Sequence, residues 1–201
     1  MEPLWFPRFA DIPGVTYAPS TQIDPSSLPG RGQRPEISRY SGIAPSLRWG
    51  NTSASPAKQF TPWNPPIEST EQLLVRIAQV LELPGEPSDY HFAIQSTAGA
   101  LRSRTARAPA LFDELERLCW LDLQLIQAVP EAVSVGEPEG ERYFSILTIT
   151  WLLQLYLREG QLLYAAQVAS IAERFGQKGE MRQITIARER YAAVQAEDAA
   201  G

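Results

Sequence analysis

Proline divides this chain. Twelve of its 17 prolines fall within the first 66 residues, and the other five are scattered over the remaining 135. Proline has no backbone N–H and holds φ near about −65°, so the first third can build neither long helices nor central strands. The same stretch holds Trp5, Phe6, Phe9, Tyr17, Tyr40, Trp49, Phe60 and Trp63. Segments that stay solvated are poor in such rings. Together the two properties predict an extended, irregular arm over residues 1–66 whose rings dock into apolar grooves. Those grooves belong either to a partner or to the chain's own helices. Turn signals run throughout, at Pro13-Gly14, Pro29-Gly30, Gly50-Asn51 and Pro65-Pro66. Short extended pieces fit Val15–Tyr17 and Glu36–Tyr40, without a hairpin signal between them.

From residue 67 to 201 the period changes to that of helices, and the expected fold is an all-α bundle of five or six. Ser69-Thr70-Glu71-Gln72 is a capping-box pattern, with serine at the N-cap and Gln72 three positions on. Leu73, Leu74, Ile77, Val80 and Leu81 follow at helical spacing, and Pro84-Gly85 ends the run. A second helix is expected from about Ser88 to Leu101. A third starts with Pro109 near its first turn and stops at Pro130. Three more are expected over about 142–159, 161–175 and 180–197, the first apolar around most of its circumference. Gly160 and Gly176 sit where turn or C-cap glycines belong. A chain starting near Ile67 is expected to hold these helices without the arm.

The segment Ile149–Gln177 resembles one tetratricopeptide repeat, a helix hairpin of about 34 residues. With Gly160 at the turn, Leu152 and Tyr156 fall where the motif prefers Leu and Tyr. Leu162, Ala165, Ala169 and Ala172 then lie on the second helix, and Ala165 and Ala172 match its two small residues. Small residues let paired helices approach closely. Leu153 and Gln177 depart from the pattern, standing where a small residue and a proline are usual. The resemblance implies an antiparallel helical hairpin at the C-terminal end of the bundle. The same stretch admits a second reading. Ile171-Ala172-Glu173-Arg174-Phe175-Gly176 looks like the start of a degenerate helix-turn-helix near 165–190, presenting Arg182, Gln183, Thr185, Arg188 and Arg190. Met181 and Ile184 fall one residue out of step with that motif.

Charge weighs against nucleic acid. The formal net charge is −5. Residues 1–66 carry six basic and four acidic side chains, and residues 67–201 carry twelve and nineteen. Phosphate binding needs clustered cations, and an acidic body lacks them. Cys119, the single cysteine, lies in an apolar helical run and is expected as a buried thiol. His91, the single histidine, is a surface or core residue before it is a base, and no metal cluster or cofactor motif can be assembled by spacing. The glutamates at 137, 139 and 141 read as a solvated loop. Tyr143 to Leu157, the longest apolar run, is too short and too polar for a membrane span. The chain start shows no secretory signal, so a cytoplasmic location is expected. The function expected is non-catalytic protein binding or self-assembly, as an adaptor or structural subunit without metal or cofactor. Trp5, Phe6, Phe9, Trp49 and Trp63 are the expected partner-binding anchors. A DNA-binding regulator and a small enzyme with an unrecognised site are the alternatives.

Overall fold

A computed structural model of the chain describes residues 7–38, 46–61, 68–135, 142–177 and 181–200. The fold is an all-α helical bundle with one small two-stranded sheet among the described residues. The chain forms two compact units, Met1–Ala132 and Val133–Gly201. This division differs from the one expected at 66/67, because the described arm residues belong to the first unit.

In the first unit, single turns at Phe9–Asp11 and Pro25–Ser27 precede two short strands, β1 (Glu36–Ser38) and β2 (Ser46–Arg48). They pair antiparallel with Glu36 opposite Arg48 and Ile37 opposite Leu47. A short helix, α1 (Pro56–Phe60), follows. Ser55 caps it by accepting the Lys58 N–H at 3.0 Å, and Pro56 fills its first position. The strand pair and α1 correct the expectation of an arm without hairpin or helix. Their signals were only three and five residues long.

The long helices of this unit are α2 (Thr70–Glu82), α3 (Pro87–Arg104) and α4 (Leu111–Ala128). The capping box at Ser69 forms: Gln72 N–H donates to Ser69 Oγ at 3.1 Å, and Ser69 N–H donates to Gln72 Oε1 at 2.9 Å. α3 packs along α4 and against α2, and α1 lies on α2 and α3. Leu73, Ile77, Ile94, Leu101, Leu118 and Leu123 fill the core.

The arm's described part is held in this core by bonds as well as rings. Tyr90 Oη lies 2.6 Å from the carbonyl oxygens of both Pro7 and Leu83, one proton between two acceptors. Ser55 Oγ donates to Asp89 Oδ2 at 2.6 Å, and Ala57 N–H donates to Pro84 O at 3.2 Å. At Gly85 a Cβ would stand 2.6 Å from Ala57 Cβ, so glycine is what lets the arm approach this turn. The described rings of the arm that avoid water have found this unit's own interior.

The second unit contains α5 (Leu147–Glu159), α6 (Leu162–Arg174) and α7 (Met181–Ala200), each in contact with the other two. Its entry is a one-bridge hairpin, Ser134 opposite Tyr143. Gly160 caps α5 at φ +71°, and Gly176 follows α6 at φ +58°. Leu152, Leu153, Tyr156, Ala165, Ala169 and Ala172 are buried. Gln177, where the repeat motif has proline, does work that proline could not. Its Oε1 accepts the Ile146 N–H and its Nε2 donates to Phe144 O, both at 3.1 Å, tying the end of α6 to the start of α5. No described helix is long and apolar enough to cross a membrane.

Candidate functional site

Two of the five aromatic residues expected to anchor a partner, Phe9 and Trp49, lie among the described residues. Phe9 is 0% and Trp49 1% exposed, so in this structure both rings belong to the chain's own core. Phe9 lies edge-on to Tyr17 and Tyr90, with ring centres 5.5 and 5.6 Å away. Trp5, Phe6 and Trp63 lie outside the described residues, as do the glutamates at 137, 139 and 141.

In making that core, the arm leaves a groove. Residues 17–23 lie over α2 and α4 and with them line a half-open groove of about 800 Å³. The start of this strap is tied to the body. Thr16 N–H donates to Gln124 Oε1 at 2.8 Å, and the Tyr17 ring rests on Phe9. Within it, Ile23 N–H turns back to Ser20 O at 3.4 Å. The floor is α2. Leu73-Leu74-Val75 puts three apolar side chains in a row, and one helical face cannot hold all three. Leu73, Ile77, Val80 and Leu81 are buried, while Leu74, Val75 and Ala78 stay half-buried and line the groove with Ile77 and Leu81. The α4 wall carries Glu114 and Arg117, an ion pair at 2.8 Å. Burial, aided by the charge of Glu82, pushes the Tyr17 phenol up to about 12, so it stays a neutral hydroxyl at physiological pH. That apolar triplet was the one sequence signal for a second contact on α2. Nothing in residues 17–23 by themselves marks them as its roof.

The titratable groups with chemical potential lie elsewhere and inside. His91 and Asp122 are both 0% exposed, with Nδ1 and Oδ1 2.7 Å apart across the α3–α4 contact. The carboxylate fixes the ring, and Phe92 lies edge-on to it at 5.0 Å. His91 Nε2 has no hydrogen-bond partner among the described residues. Cys119, one turn before Asp122, is buried, and that burial pushes its thiol well up, with Asp122 and Glu116 adding to the shift. A nucleophile needs the thiolate and access, and this one is denied both. Among the described residues no three His, Cys, Asp or Glu side chains converge as a metal site.

In the second unit, α7 exposes Arg182, Thr185 and Arg190, while Arg188 pairs with Glu173 of α6. Ile184 and Ala187 are buried. No protein-family model matches the chain, and no curated protein or solved structure matches it.

Proposed function

We propose that this chain is a non-catalytic protein-interaction protein, an adaptor or structural subunit of a larger assembly, acting in the cytoplasm. The observation that carries the reading is the roofed groove on α2. It offers half-buried Leu74, Val75 and Ala78 beside residues 17–23, with polar groups at its rim. Apolar clefts with a few placed polar groups are the usual form of binding sites. The arm then serves docking by shaping the groove rather than by offering Phe9 and Trp49. The glycine turn and small buried residues of the α5–α6 hairpin are in keeping with the tetratricopeptide resemblance read in the sequence, which supports an interaction role for the second unit. A single reduced thiol needs no oxidising compartment.

Purification of the complete tagged protein under native conditions tests the proposal. A stoichiometric protein partner should accompany the native chain and be lost from Val75→Arg, which places a charge in the groove. A native chain that purifies alone, or a partner retained equally by Val75→Arg, overturns it.

A further inference from the structure

No further inference is drawn: the strongest candidate, the half-open groove that residues 17–23 line with α2 and α4, has an apolar floor and offsetting charges, Glu71 next to the Thr70 that Arg104 holds at 3.1 Å and Glu114 on Arg117 at 2.8 Å, so nothing in the structure shows what covers it.

Discussion

Two glycines show how differently one residue type can be required. Gly160 sits at φ +71° with nothing within 4 Å of where a Cβ would stand, so only its backbone conformation is at stake. Gly160→Val should cost about 1–2 kcal/mol, the penalty of a left-handed β-branched residue, read as a shift in denaturant midpoint. Gly85 has no such φ, yet its Cβ would meet Ala57 Cβ at 2.6 Å and Tyr90 Cζ at 3.2 Å. Gly85→Ala should cost about 1–3 kcal/mol through overpacking, and Ala57→Gly should recover part of it in the double variant. Unchanged midpoints would remove the respective assignments. The Gly160 turn is legible in the sequence, because a glycine between two apolar-periodic runs has few other uses. Gly85 reads there only as a helix stop, since its neighbour Ala57 comes from a segment 28 residues earlier.

Helix ends carry the next set of consequences. At the start of α3, Glu86 N–H donates to Asp89 Oδ2 at 3.1 Å, while burial, with Asp89 adding to it, raises the Glu86 carboxyl above its ordinary value. A carboxyl raised in the fold contributes stability below its unfolded value and loses it as pH rises through the folded one. Glu86→Gln should therefore match the native chain near pH 4 and exceed it near pH 7. The gain should be under about 1 kcal/mol because the group is more than half solvated. Urea midpoints at the two pH values check the sign. At the other end of the chain, Gln177 holds Ile146 N–H and Phe144 O with one side chain. Gln177→Ala should cost about 1–2 kcal/mol, a capping-scale loss, read from thermal unfolding. The long helices were readable because capping and periodicity are local. The pair β1–β2 was not, because three-residue strands owe their existence to partners rather than to pattern.

At the scale of the molecule, the arm's tie to the first unit makes a clear demand. Phe9, Ile12, Leu28, Trp49 and Ala57 are all buried and all lie before residue 67. A chain beginning near Ile67 loses these together with the Ser55–Asp89 bond, and α2 and α3 lose a covering layer. It should aggregate or melt without cooperativity, whereas the first unit of the 201-residue chain should unfold in a single sharp step. A shortened chain with a cooperative transition and native-like near-ultraviolet circular dichroism would overturn this. The composition of the first third forced its rings out of water but left open whose interior would take them. That choice depends on Gly85, Tyr90 and Asp89, which read in sequence as ordinary punctuation of a helix start.

The lone cysteine turns this architecture into a clock. Cys119 is wholly enclosed, and its thiol is held protonated. A water-soluble thiol reagent can reach it only when α4 parts from its neighbours. Labelling at low reagent concentration reports how often that happens, and at saturating reagent it reports how fast. With no second cysteine to confuse the signal, mass spectrometry on the intact native chain can time the breathing of one contact without any engineered probe. Occupation of the groove by a ligand should slow that clock to the extent that binding requires the closed form.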